Sequence, residues 1–306
     1  MTRPFCVCVP ARNEAKRIAT LIEALGSQQV GRPVRIALLV NNSDDGTAAI
    51  ARSAAERTCD RVMLRVEECA FPARAAHAGS ARRAAMAMGV HWLGTYQGLL
   101  IATDADCRPP TDWISTNLAA ARAGHVVGGA IILDELEPVA TELLAVRARL
   151  DAYWQAVREI EDRLDPLTWD PPPRHGDNTG ASLALDIRLY LRAGGVPCIA
   201  TGEDRALVAN AIGAGGQLVH PPSVWTRTSA RNVGRAAGGM AEDMRRWQYL
   251  AGSGQALLVP DLRHWRQRAL WRRAWREAHG DAAVPAAEAA LDPMPNDMAL
   301  DWKRAA

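Results

Sequence analysis

Two aspartates spaced one apart, Asp104 and Asp106, follow an apolar run in the stretch LLIATDADCRPPTDW (99–113). A carboxylate pair at the end of a buried strand is costly unless a cation or hydrogen-bond donors answer it. One reading is turn and cap chemistry, with Asp106 ending the strand and Thr111 capping the next helix. The other is a divalent cation held by hard carboxylate oxygens and shared with the phosphates of a nucleotide. A second acidic pair, Glu203 and Asp204, lies in TGEDRALV, where T-x-x-D ahead of an apolar run reads as a helix capping box.

Strand and helix patterns alternate through the first 130 or so residues and must position these groups. FCVCVP, VRIALLV, RVMLRV, GLLIATD and HVVGGAIIL read as strands. Between them EAKRIATLIEALGSQ, with apolar residues at 18, 21, 22 and 25, reads as a helix ending near Gly26, and TAAIARSAAERTC, AHAGSARRAAMAMGVHWLG and TDWISTNLAAARAG follow suit. This rhythm predicts an α/β fold with a mostly parallel central sheet and helices on both faces. Such sheets bind ligands beyond the carboxyl ends of their strands. Asn13–Glu14, Asn41–Asp45 and Asp104–Asp106 all fall at such ends. Farther on, a long helix is expected across 137–164, then the proline-rich loop DPLTWDPPPRHGDNTGA, then a helix-plus-strand unit over 182–220. From about 233 onward the chain reads as helical and rich in tryptophan and arginine.

The bulk numbers narrow the class. A chain of 306 residues with 48% hydrophobic and 23% charged content can bury a sizeable core. A net charge of +2 argues against a dedicated nucleic-acid binder. Cysteines at 6, 8, 59, 69, 107 and 198 form no CxxC pair and no zinc spacing, so they read as small buried hydrophobes in a reducing compartment. The opening MTRPFCVCVPARNEAK lacks a signal peptide's apolar run, and no stretch approaches the ~18 apolar residues of a membrane span. The expected location is the cytoplasm. The arginine-rich LRHWRQRALWRRAWREAHG either lies on an anionic membrane face or packs against the catalytic domain or a dimer partner. No G-x-G-x-x-G and no P-loop occurs, which speaks against a Rossmann oxidoreductase and a P-loop NTPase.

Taken in order, the motifs resemble a family 2 glycosyltransferase of the GT-A fold. VCVPARNEAKRI resembles that family's opening strand and P-x-x-N-E loop, and LLVNNSDDGT its second strand end. AGSARRAA resembles its A-R-N segment, IATDADCRPPTDWI its D-x-D segment, HGDNTGASLAL its acceptor-side G-x-N segment, and TGEDRALV the acidic pair containing its base. The resemblance spans residues 5 to about 235. It implies a GT-A catalytic domain over 1–235, with a nucleotide-sugar half at 1–134 and an acceptor half at 135–235. A helical extension would cover 236–306.

The resemblance also implies roles. Pro10, Arg12, Asn13, Glu14, Asn41, Arg82, Asp104, Ala105 and Asp106 would contact the nucleotide-sugar donor. Asp106 would hold Mn²⁺ or Mg²⁺, with Asp104 on the cation's water shell or on the ribose. Asp204 would deprotonate the acceptor hydroxyl, Glu203 would support acceptor binding, and the transfer would invert the anomeric configuration. The acceptor stays open among saccharide, small molecule and lipid-linked classes, as do peripheral membrane contact and a homodimer.

The chain departs from the pattern at three points. Asn41 stands where many members have a base-reading aspartate, which loosens uracil specificity and lets Asp44 or Asp45 share the contact. Arg12 replaces a common aromatic, facing either phosphate or solvent, and Arg83 replaces the asparagine after Arg82. His220 is a metal ligand or a structural histidine before two prolines. Arg227, Arg231 and Arg235, four apart, form one face if the stretch is helical, either a clamp on diphosphate or a solvated face. A non-catalytic nucleotide-sugar binder of the same fold is the rival class.

Overall fold

The computed structural model describes residues 3–231, 234, 239–253 and 255–300. Strands β1 (Phe5–Ala11), β2 (Val34–Asn41), β3 (Val62–Cys69) and β4 (Leu99–Ala102) are joined by helices α1 (Ile18–Gly26), α2 (Thr47–Glu56) and α3 (Ala78–Leu93). The four strands are parallel, in the order β3-β2-β1-β4. β1 is buried almost throughout, as a central parallel strand with helices on both faces must be. The buried face of α1 is Ile18, Leu21, Ile22 and Leu25, the spacing that the sequence predicts.

After β4 come the two-residue β5 (Cys107–Arg108), α4 (Trp113–Ala120), β6 (His125–Gly128) and β7 (Ala130–Leu133). The single strand expected over HVVGGAIIL is therefore two, and they enter different sheets. The break is steric. A Cβ on Gly128 would stand 2.4 Å from the Asp177 carbonyl oxygen, and one on Gly129 would stand 2.1 Å from Ser182 Oγ. Only glycines let the turning backbone approach that closely.

The long helix is α5 (Thr141–Leu164), followed by β8 (Leu183–Asp186), α6 (Ile187–Arg192), α7 (Glu203–Gly213), β9 (Gln217–Val219) and β10 (Trp225–Thr228). β8 runs antiparallel to both β4 and β6, and β6 pairs parallel with β9, completing a seven-stranded sheet in the order β3-β2-β1-β4-β8-β6-β9. β5, β10 and β7 form a separate three-stranded sheet. Cys6, Cys8, Met86, Leu100, Leu183, Leu189 and Leu207 belong to one core cluster beneath α3, α6 and α7. Cys6, Cys8 and Cys107 are buried as expected, whereas Cys59 and Cys198 are exposed.

Two compact units result. One comprises 1–134 and 177–229, and the other comprises 135–176 and 230–306. In the second, α8 (Met240–Ser253) and α9 (Leu262–His279) accompany α5, followed by the short α10 (Val284–Ala289). A two-stranded antiparallel sheet of β11 (Leu257–Val259) and β12 (Met298–Leu300) interrupts the expected all-helical reading of this region. Val146, Leu150, Tyr153 and Val157 of α5 pack with Leu257 and Val259, and Trp265 donates to Tyr153 Oη at 2.6 Å. The arginines of α9 are turned to carboxylates of the same unit. Arg272 meets Glu161 and Glu288, Arg276 meets Asp165 and Asp281, and Arg268 meets Glu288. Among the described residues no helix is long and apolar enough to cross a membrane.

Candidate active site

The aspartate pair sits in the turn that ends β4. Thr103 is buried, and its hydroxyl donates to the Ala181 carbonyl at 2.9 Å, tying the strand end to the segment before β8. The Cys107 N–H returns to the Asp104 carbonyl at 3.2 Å and closes the turn. Ala105 is buried between the two aspartates, while both aspartates keep partial exposure. The Ser229 N–H donates to the Asp106 carbonyl at 3.2 Å, so the end of β10 lies beside this turn. Burial, and then the charges of Asp106 and Asp104, push the Cys107 thiol far above its usual range.

Arg82 of α3 joins what the sequence keeps far apart. Its Nη2 donates to Asp104 Oδ1 at 2.8 Å, its Nε to Glu203 Oε1 at 3.1 Å, and its Nη1 to the Gly180 carbonyl at 3.0 Å. Gly180 in turn donates its N–H to Asp204 Oδ2 at 2.8 Å. Arg82 and Glu203 are 4% and 5% exposed, so this is a desolvated ion pair, whereas the Asp104 side chain is 37% exposed and faces outward. Burial opposes the guanidinium's charge, but Asp104 and Glu203 outweigh it and hold the group protonated above its usual range.

The loops after β1 and β2 are stitched together side by side. The Asn13 N–H donates to Ser43 Oγ at 2.9 Å, the Glu14 N–H to Thr47 Oγ1 at 2.8 Å, and the Asp44 N–H to Asn13 Oδ1 at 3.0 Å. Asn13 takes a left-handed φ of 51°, a conformation asparagine tolerates better than most residues. Asp45 accepts from the Ala15 and Thr47 N–H groups and from the Thr47 hydroxyl. Desolvation works against its charge, but these bonds outweigh it and lower the carboxyl's pKa. Glu14 and Asn41 are buried, and Asn41 donates to Asn42 Oδ1 at 3.2 Å. Pro10 lies in β1, paired with Leu39. Arg12 is exposed and reaches the Ala76 carbonyl at 3.3 Å, just before α3.

Three local expectations change. Asp204 is not part of a capping box, because Gly202, at φ 74°, is the N-cap of α7 and no side chain caps it. Thr111 does not cap α4, whose N-cap is Asp112. Arg227 lies on strand β10 rather than on a helix, directly opposite Arg108 and with its guanidinium 4.6 Å from the Trp225 ring centroid. Arg231 follows outside any regular element, and Arg235 lies outside the described residues. His220 is buried at the start of a turn. Two participants were not singled out as site residues from the sequence. One is Gly180, which stands inside the quoted G-x-N segment. The other is Asp134, which grips Arg108 through two bonds of 2.7 and 2.8 Å.

Comparison with known proteins gives the family. The profile described as glycosyl transferase family 2 matches residues 6–180, from β1 to the glycine under Arg82. No curated protein matches the chain. Among solved structures, the mannosyltransferase PcManGT from Pyrobaculum calidifontis, in complex with GDP-Man and Mn²⁺, is similar at a TM-score of 0.53 and 20% identity, covering 96% of this chain and 77% of that one. S. aureus TarS 1–349, in complex with UDP-GlcNAc, is similar at a TM-score of 0.52 and 15% identity, covering 90% of this chain and 74% of that one. At these identities the likeness is one of fold, and the family match carries the assignment. The chain belongs to glycosyl transferase family 2 and is a glycosyltransferase of the GT-A fold.

Proposed function

We propose that the protein transfers a sugar from a nucleoside-diphosphate sugar to an acceptor hydroxyl with inversion, using a divalent cation. The observation that carries this reading is the Arg82 junction. One buried guanidinium touches Asp104 of the D-x-D turn and Glu203 of the acidic pair, and one residue, Gly180, separates it from Asp204. The donor class is supported by the similar structures, which hold GDP-Man with Mn²⁺ or UDP-GlcNAc.

Among the described residues no group of three or more His, Cys, Asp or Glu side chains forms a self-sufficient metal site. Two carboxylates in one strand-end turn instead suit a hard cation that takes its other ligands from diphosphate and water. Asp106 and Asp104 would hold Mn²⁺ or Mg²⁺, and the cation would stabilise charge building on the departing diphosphate. Pro10, Arg12, Asn13, Glu14, Asn41, Arg82 and Ala105 line the donor's place in this proposal, and Arg227 supplies a cationic fork toward phosphate.

Asp204 accepts the proton of the attacking hydroxyl. Both of its oxygens also accept backbone N–H bonds, from Gly180 and Arg205 at 2.8 Å each, which fixes its rotamer. Attack opposite the leaving diphosphate inverts the anomeric carbon. The acceptor class remains saccharide, small molecule or lipid-linked.

The test is nucleotide release from a panel of UDP-, GDP- and dTDP-sugars with Mn²⁺ or with EDTA. Release from one donor class only with Mn²⁺ supports the reading. Metal-dependent binding of a donor without release, across acceptors, favours a nucleotide-sugar-binding protein instead.

A further inference from the structure

Gly180 offers both of its backbone polar groups, which belong to two successive peptides, to the ion cluster. Its carbonyl accepts from Arg82 and its N–H donates to Asp204. A Cβ on Gly180 would displace the Arg82 guanidinium, since it would stand 2.2 Å from Arg82 Cζ and 2.3 Å from Nη2. Glu203 holds the same guanidinium from the other side and is the chain neighbour of Asp204 in the first turn of α7. Asp204 is thus fixed along two routes that start at one side chain, and that side chain also grips Asp104. Glu203 is buried at 5% exposure and gives a carboxylate oxygen to Arg82.

We propose that Gly180 and Glu203 are positioning residues, which transmit the hold of Arg82 to Asp204 so that base and D-x-D turn keep one fixed relation. The proposal rests on Asp204 being the base. It also revises the role of Glu203, from acceptor contact to orientation of another group. A misplacement of about 1 Å at a reacting group costs on the order of 10²-fold in rate, so small losses of this hold are measurable.

The experiment uses the full chain labelled with ¹³C′-threonine and ¹⁵N-glycine. Thr-Gly occurs only at 179–180 and 201–202, so two amide resonances are selected, those of Gly180 and Gly202. Asp204→Asn identifies the Gly180 amide by moving it upfield, since a neutral acceptor replaces a carboxylate. Glu203→Ala is expected to move the same resonance and speed its solvent exchange by about tenfold or more, as expected when local structure opens more readily. Glu203→Gln, which keeps an oxygen for Arg82 Nε, is expected to restore both. In turnover of the panel's active donor with water as acceptor, Glu203→Ala should lower kcat by about 10- to 100-fold with donor KM little changed. A Gly180 resonance unmoved in Glu203→Ala overturns the proposal, and so does a raised KM with unchanged kcat. Gly180→Ala, if it folds, should match Glu203→Ala. Failure of the transfer reading shows in wild-type nucleotide release, whereas failure of the link shows in the Gly180 resonance.

Discussion

Replacing Arg82 with methionine removes the charge that neutralises Glu203 and leaves that carboxylate at 5% exposure without its partner. Breaking a buried ion pair from one side costs about 3–5 kcal/mol, because the remaining charge stays desolvated. The Asp104 contact adds little, since that carboxylate is 37% exposed and solvent takes over, a contribution of about 0–1 kcal/mol. The Gly180 carbonyl loses one donor, about 1 kcal/mol more. The Glu203 term therefore dominates. For a unit of this size each kcal/mol moves the melting temperature by about 2–4 °C, so a total of about 4–7 kcal/mol should lower the Tm of Arg82→Met by roughly 8–28 °C. The double variant Arg82→Met/Glu203→Leu removes both buried ions and should recover most of that loss. Thermal and urea unfolding followed by circular dichroism measure both. A loss below about 1 kcal/mol in the single variant, or a double variant no better than the single, would refute the argument from desolvation.

Other perturbations report on other parts of the molecule. In the second unit, Arg272→Ala removes one of two arginines from Glu161 and from Glu288, which keep Arg174 and Arg268, and should cost about 1.5–3 kcal/mol in urea unfolding, with lysine restoring only part because it lacks the fork. Gly128→Ala should destabilise by about 1–3 kcal/mol, because its Cβ meets the Asp177 carbonyl oxygen at 2.4 Å. Thiol titration of the native protein should modify Cys59 and Cys198 quickly and Cys107 only after denaturation, as burial and the neighbouring aspartates disfavour its thiolate. Asp45 has its folded pKa lowered by bonds from Thr47 and Ala15, so its contribution is present above the unfolded value of about 3.9 and is lost as pH falls through the folded one. Unfolding curves of wild type and Asp45→Asn should accordingly differ at neutral pH and converge in acid.

What could be read from the chain depended on how local its cause was. The parallel strands and the helices between them carry their own periodic signature, and β1 to β4 with α1 to α4 lie where that signature puts them. The division of HVVGGAIIL was hidden because its cause lies elsewhere: the backbone at Asp177 and the side chain of Ser182 force glycine at 128 and 129. The four-residue spacing of Arg227 and Arg231 would make one face only on a helix, but the alternation of Trp225 and Arg227 with Thr226 and Thr228 is that of a strand, and pairing with Ala130–Leu133 settles it. TGED imitates a capping box, yet Gly202 already occupies the cap in a left-handed conformation that needs no side chain. The pair β11 and β12 consists of three-residue strands more than thirty residues apart, too short for periodicity to mark. At the site, the residue types were legible and their junction was not. Arg82 meets Asp104, Gly180 and Glu203 across separations of 22, 98 and 121 residues, and only the folded sheet brings them to one guanidinium.

The most direct measurement separates the two carboxylate roles. Nucleotide release and equilibrium binding of UDP, GDP and dTDP with Mn²⁺ would be followed in wild type, Asp106→Ala and Asp204→Asn. The account predicts that Asp106→Ala loses Mn²⁺-dependent binding and release together. It predicts that Asp204→Asn binds nucleotide as wild type does and loses release from the donor sugar. Wild-type release in Asp204→Asn, or undiminished Mn²⁺-dependent binding in Asp106→Ala, would contradict it.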